Sequence, residues 1–209
     1  MRGLTMTLHL VIDCETTGLF DYNKRANEEG QPRLCQLGMI WIDHDLAPIE
    51  EAEYTIKPDG WETTPEAVAV NGLTQEMLEE IGGPINDALE RYSKAIDERH
   101  VIVGFNAAYD IKLLRGELRR ANMDDRYMQT RTLDVMSGSR KIVDARNKDG
   151  KRKAPSLEEA CNFFKVEREP VPHRALGGAR AVLLILRRLR ELGQMPAYKD
   201  PYDKTRWGK

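Results

Sequence analysis

Leu8-His9-Leu10-Val11-Ile12-Asp13-Cys14-Glu15-Thr16-Thr17-Gly18-Leu19 decides how this chain is read. Leu8, Leu10, Val11 and Ile12 form a short apolar run rich in branched side chains, the composition of a central strand. Asp13 and Glu15 follow, two positions apart. Side chains alternate across a strand, so this spacing puts both carboxylates on one face and Cys14 on the other. Two like charges side by side repel each other. A divalent cation with all-oxygen ligands is the partner that best relieves them; the plainer alternative is a solvated strand end. Gly18 allows the backbone to turn or to approach a ligand closely.

Outward from that stretch, residues 20–33 are polar and read as a loop. Residues 34–43 and 53–57 read as two further strands, forming an antiparallel meander with the first. Residues 65–74 suggest a short helix, a turn at Asn71, and a second helix with Thr74 as N-cap and Met77 at N3. From Pro84 onward, Ile85, Ala88, Leu89, Tyr92 and Ile96 recur at helical spacing, which predicts a core-facing amphipathic helix. Residues 101–104 are a fully apolar strand that feeds Phe105-Asn106-Ala107-Ala108-Tyr109-Asp110 and a helix over 111–121. Residues 131–135 predict a fifth strand, with Asp134 in a structural role at its end. Residues 138–154 carry Arg140, Lys141, Arg146, Lys148, Lys151, Arg152 and Lys153 against Asp144 and Asp149. They read as a flexible basic loop, either solvated or gripping phosphates. Ser156 and Glu159 have capping-box spacing at the start of the next helix.

The 209 residues are 41% hydrophobic and 32% charged, with a net charge of −2. This suits one globular domain, expected over 1–195 with a tail over 196–209, and excludes a disordered chain. No apolar run approaches the roughly 20 residues that span a bilayer, so no membrane association is expected. Cys14, Cys35 and Cys161 show no paired spacing and read as reduced core thiols of a cytoplasmic protein. In the tail, Tyr198, Tyr202 and Trp207 alternate with Lys199, Lys204, Arg206 and Lys209. That pattern suits either a loose terminus or base stacking.

Three motifs appear in order. Asp13-Cys14-Glu15-Thr16-Thr17-Gly18-Leu19 is the first. Asn106-Ala107-Ala108-Tyr109-Asp110 is the second, and His173-Arg174-Ala175-Leu176-Gly177-Gly178-Ala179 is the third. Together they resemble the DEDDh (DnaQ-like) 3′–5′ exonuclease family, of the RNase T and polymerase III proofreading-subunit type, over about residues 8–190. The resemblance implies an α/β chain of RNase H-like fold, a five-stranded mixed sheet with helices on both faces. It implies hydrolysis of nucleoside monophosphates from a single-stranded or frayed 3′ end of DNA or RNA, DNA being favoured, and a polymerase as a possible partner. Two Mg²⁺ or Mn²⁺ ions would be held by Asp13, Glu15 and Asp110, and His173 would be the general base. Thr16, Thr17, Gly18 and Leu19 would lie against the terminal nucleotide, with Asn106 supporting the site.

The family places a fourth carboxylate five residues after the histidine, where this chain has Gly178. The glycine leaves room for water and removes one ligand from the water-activating ion. Three readings stand side by side: a residue exchanged to trap substrate, a natural variant of reduced activity, or a nucleic-acid-binding module that does not cut. The other motif positions are intact, which favours an enzyme-derived site with impaired turnover.

Overall fold

A computed structural model describes residues 8–167 and 174–200 of the chain. Its centre is β1 (His9–Thr16), flanked by antiparallel β2 (Leu34–Ile42) and parallel β4 (Val101–Gly104). With β3 (Pro48–Thr55), β5 (Thr132–Asp134) and β6 (Tyr198–Lys199), the strand order is β3-β2-β1-β4-β5-β6. The fold is RNase H-like, as expected, but the sheet has six strands rather than five. The sixth comes from residues assigned to the tail. Two residues are too short a run to read as a strand. They are held by pairing with Thr132 and Leu133 and by a 3.0 Å hydrogen bond between the Tyr198 hydroxyl and His9 Nε2.

The helices are α1 (Pro65–Asn71), α2 (Gln75–Ile81), α3 (Ile85–Asp97), α4 (Ala107–Arg120), α5 (Val135–Ser139), α6 (Leu157–Phe164) and α7 (Ala175–Glu191). Strand alternation divides them between two cores. Leu10 and Ile12 pack with Leu89, Tyr92, Leu113 and Leu114 of α3 and α4. Val11 packs with Val182, Ile185 and Leu186 of α7, and with Ala160 and Phe164 of α6. The expected caps are formed. Thr74 accepts from the Met77 amide at 3.2 Å, and Ser156 and Glu159 make a reciprocal capping box.

Residues 138–154 differ from the flexible loop read in the sequence. After α5, Arg146 and Arg152 bridge as an antiparallel pair, and Asn147 Oδ1 accepts from the amides of Asp149 and Lys151. Val143 and Ala145 point inward into the α6–α7 core while the charged residues between and beyond them face out. Two small apolar side chains, alternating with charge, are enough to seat a short hairpin.

The seating of α7 decides where the site forms. Gly38 of β2 lies opposite Asp13 of β1. A Cβ at Gly38 would overlap the Ala175 carbonyl and the Leu176 nitrogen, so the helix start rests directly on strand backbone. The first amides of a helix lack intrahelical partners. Here the side chain of buried Gln36 accepts from the Ala175 amide, and that of Glu53 from the Leu176 amide, both at 3.0 Å. Gly38→Ala therefore forces backbone apart rather than a rotamer. We expect it to cost about 3 kcal/mol or more, lowering Tm by roughly 6–12 °C. Gly18→Ala, whose added methyl meets nothing within 4 Å, should change stability by under about 0.5 kcal/mol. Comparable thermal melts for the two variants would refute this account of the helix seat.

Candidate active site at the carboxyl end of the central strand

In open α/β sheets, ligands bind beyond the carboxyl ends of the parallel strands. β1 runs past the end of β4 here, so Asp13, Glu15 and Thr16 project beyond the β1–β4 pairing, which covers His9 to Val11. The turn that follows is built by hydrogen bonds. Thr16 Oγ1 donates to the Gly18 carbonyl at 2.8 Å, and the Tyr109 hydroxyl donates to the same carbonyl at 2.8 Å. The Thr17 hydroxyl is buried, accepts from the Arg33 amide at 2.9 Å, and is thereby a pin between β1 and β2. Asn71 Nδ2 donates to the Thr16 carbonyl and Asn71 Oδ1 accepts from the Leu73 amide, so this turn residue also clamps the end of β1. Gly18 does not adopt a left-handed conformation; what it supplies is open space at the cleft.

The cleft has a volume of 440 Å³ and is bounded by Glu15, Gly18, Leu19, Ala67, Val70 and Asn71. Leu19 is 86% exposed and Val70 60% exposed, two large apolar side chains held in solvent at its rim. A neighbouring cleft of 690 Å³ shares Gly18 and Leu19 and is lined by Trp61 and Arg33. Sequence reasoning missed Val70 and Tyr109. Val70 looked like one more apolar residue of a short helix. Tyr109 stood beside the expected Asp110, and its hydroxyl was the available signal.

Asp13 and Glu15 are both partly buried, on the strand face opposite Cys14. Above Asp13 lies Gly178 of α7. A Cβ at residue 178 would fall within van der Waals overlap of Asp13 Oδ2 and 2.7 Å from its Cγ. The room left by the glycine is thus taken by the Asp13 carboxylate, not left for water as the sequence suggested.

Asp110, in the first turn of α4, is buried and hydrogen-bonds with the side chain and backbone of Cys14. Burial, with the Glu15 charge adding to it, pushes the Asp110 carboxyl up to about 7. Burial also pushes the Cys14 thiol well up, reinforced by the charges of Asp110 and Asp13.

Asn106 caps α4 in a left-handed conformation, its side chain exposed and its amide donating to Asp134 Oδ1 at 3.0 Å. Asp134 also caps α5 through the Met136 amide, which is the structural role expected of it. His173 lies outside the described residues, immediately before Arg174, the N-cap of α7.

The all-oxygen donor chemistry of Asp13, Glu15 and Asp110 suits a hard divalent cation. The set is incomplete in its arrangement. Among the described residues, no three histidine, cysteine or acidic side chains gather as a group able to hold a metal ion. Among them also, no helix is long and apolar enough to cross a membrane.

The raised Asp110 value makes stability pH-dependent. The folded state holds its proton up to about pH 7, whereas the ordinary value is 3.8. Between those values the folded state binds more protons than the unfolded one, so this group's contribution falls as pH rises. Its ionisation costs the folded state up to roughly 4 kcal/mol. In chelator, Asp110→Asn should match the parent near pH 4 and exceed it at pH 8 by at least about 1 kcal/mol, read by thermal melts. A variant less stable than the parent at pH 8 would contradict the buried neutral carboxyl.

An exonuclease family model, RNase T, matches residues 10–186. No curated protein sequence matches the chain. Among solved structures, a product-bound exonuclease I is similar with a TM-score of 0.73 and 19% identity, covering 89% of this chain and 44% of that one. E. coli exonuclease I in complex with a dT13 oligonucleotide gives a TM-score of 0.73 and 20% identity, over 88% of this chain and 41% of that one. Exonuclease I from Methylocaldum szegediense gives 0.70 and 22%, over 88% and 40%. The chain therefore shares the fold of these proteins while spanning about two-fifths of their length. With the family model matched over most of its residues, this chain belongs to the exonuclease family.

Proposed function

We propose that this chain is a metal-dependent 3′–5′ exonuclease of the DEDDh type whose turnover is impaired by Gly178. The observation that carries the reading is the pair Asp13 and Glu15 at the end of the central strand, with Glu15 on the wall of an open cleft rimmed by Leu19 and Val70. The 3′-terminal nucleotide occupies that cleft, against Gly18 and Leu19, with the Thr16–Gly18 turn held rigid by Tyr109 and Asn71. Thr17 acts through the turn and Asn106 through the start of α4. A single-stranded or frayed DNA end is favoured over RNA. The E. coli exonuclease I complexes with dT13 and dA16 oligonucleotides support that preference.

When bound, a divalent ion would supply a nucleophilic water at neutral pH and would offset charge on the scissile phosphate. Asp13, Glu15 and Asp110 are the residues proposed to hold such ions, Mg²⁺ or Mn²⁺. His173 is the proposed base, accepting a proton from the attacking water. With glycine at 178, the set lacks the family's fourth carboxylate, and the Asp13 carboxylate occupies the space that side chain would enter.

A second reading is a module that holds a 3′ end without cutting it. The same Asp13–Gly178 packing favours it, since the protein fills the gap with its own carboxylate.

Gly178→Asp separates the two. Its side chain evicts the Asp13 carboxylate and places a like charge beside it, so in chelator the variant should melt lower than the parent. Mn²⁺ should then stabilise it more than it stabilises the parent. Release of mononucleotides from a labelled 3′ end should rise more than about 10-fold, since losing even an outer-shell partner of a metal ligand typically costs about 10- to 100-fold. Gly178→Ala evicts Asp13 equally but adds no ligand, and should stay slow. If the Asp and Ala forms are equally inactive while the oligonucleotide still binds, the non-cutting reading stands.

A further inference from the structure

Between residues 140 and 153 the chain carries seven basic residues and two acidic ones, inside a protein whose net charge is −2. We propose that this segment is a preformed grip for the phosphate backbone of a single strand whose 3′ end lies in the cleft. The proposal rests on the exonuclease reading above and extends it to a contact outside the cleft.

The segment is ordered without help from a ligand. The Lys153 amide donates to the Ala145 carbonyl and the Asn147 amide to the Lys151 carbonyl, both at 2.9 Å. Arg152 reaches back to the carbonyls of Arg140 and Lys141. Val143 and Ala145 anchor the hairpin in the core, which turns the cations outward. Order in the free protein spares the entropy of fixing these groups on binding.

Their charge is largely uncompensated. Arg146 and Arg152 share the single carboxylate of Asp144, at 2.9 and 3.9 Å, and Lys153 pairs with Glu159. Among the described residues, exposed Arg140, Lys141, Lys148 and Lys151 form no ion pair. The start of the segment is tied to the motif that carries Asn106. Asp134, which holds the amide of Asn106, is followed by the five residues of α5 and then Arg140. Five helical residues span about 7.5 Å. No exposed aromatic ring interrupts the hairpin, so it offers charge for phosphates and no stacking surface for bases.

The test compares Lys148→Glu/Lys151→Glu with Lys94→Glu/Arg99→Glu, an equal charge change on exposed residues at the C-terminal end of α3, a helix of the opposite face. Binding of single-stranded DNA of about 4 and about 20 nucleotides is read by fluorescence anisotropy across a salt series. The hairpin variant should lose about 10-fold in affinity for the 20-mer and bind the 4-mer within about 2-fold of the parent. Its log–log salt slope should fall by about 1.4, at roughly 0.7 per phosphate contact on a single strand. Lys148→Gln/Lys151→Gln should show the same change in slope with a smaller loss of affinity.

An unchanged 20-mer affinity overturns the proposal and leaves the exonuclease reading intact. So does an equal loss in the α3 control or an equal loss for the 4-mer. Polyglutamate displacing the 20-mer as well as polyphosphate does, at equal charge, assigns the patch to an acidic protein and overturns it too. If no chain binds either oligonucleotide, the exonuclease reading falls and the proposal with it.

Discussion

The contact between the start of α7 and the β1–β2 pair constrains everything around it. A helix packed on a sheet normally stands off by the depth of its side chains. At Gly38 that layer is missing, and the Ala175–Leu176 backbone rests on the strand. The amides freed at the helix start are taken by Gln36 and Glu53, so the helix is fixed in height and also in rotation. Rotation matters because one turn later the face turned toward the sheet carries residue 178. Whatever stands at that position is aimed at Asp13, the residue paired with Gly38.

A carboxylate aimed at another carboxylate is unfavourable in the bare protein and favourable around a cation. A glycine at 178 reverses that balance. With no second carboxylate there, the Asp13 carboxylate occupies the volume that a side chain at 178 would fill. The helix itself gains nothing from this glycine, since adjacent Gly177 and Gly178 are both poor helix formers. The packing of α7 below them, through Val182, Ile185 and Leu186, is what keeps the helix in place.

Much of this was legible along the chain, because it rests on local periodicity. The alternation through Asp13, Cys14 and Glu15 gave the face of each side chain. The apolar run over β4 followed by Asn106 and Asp110 gave the helix that delivers the third acid. Three features were illegible because they depend on contacts between distant residues. The Asp13 carboxylate occupying the space at 178 requires knowing how closely α7 approaches. The bond from Asp110 to Cys14, on the strand face away from Asp13, requires knowing where α4 crosses β1. The basic hairpin was hidden because its anchors, Val143 and Ala145, are only two apolar residues in a polar stretch, and the core they enter is supplied by α6 and α7.

The turn after β1 shows why the cleft need not depend on the metal set. Its supports are the Thr16 and Tyr109 hydroxyls on the Gly18 carbonyl, the Thr17 hydroxyl on the Arg33 amide, and the Asn71 amide on the Thr16 carbonyl. None of these is a carboxylate, and none needs a cation between its partners. The carboxylates of Asp13 and Glu15 take part in none of these four bonds. A substitution at 178 changes the charge arrangement above Asp13 without loosening the turn. The shape of the turn and the charge arrangement between Asp13 and position 178 are separable in this fold for that physical reason.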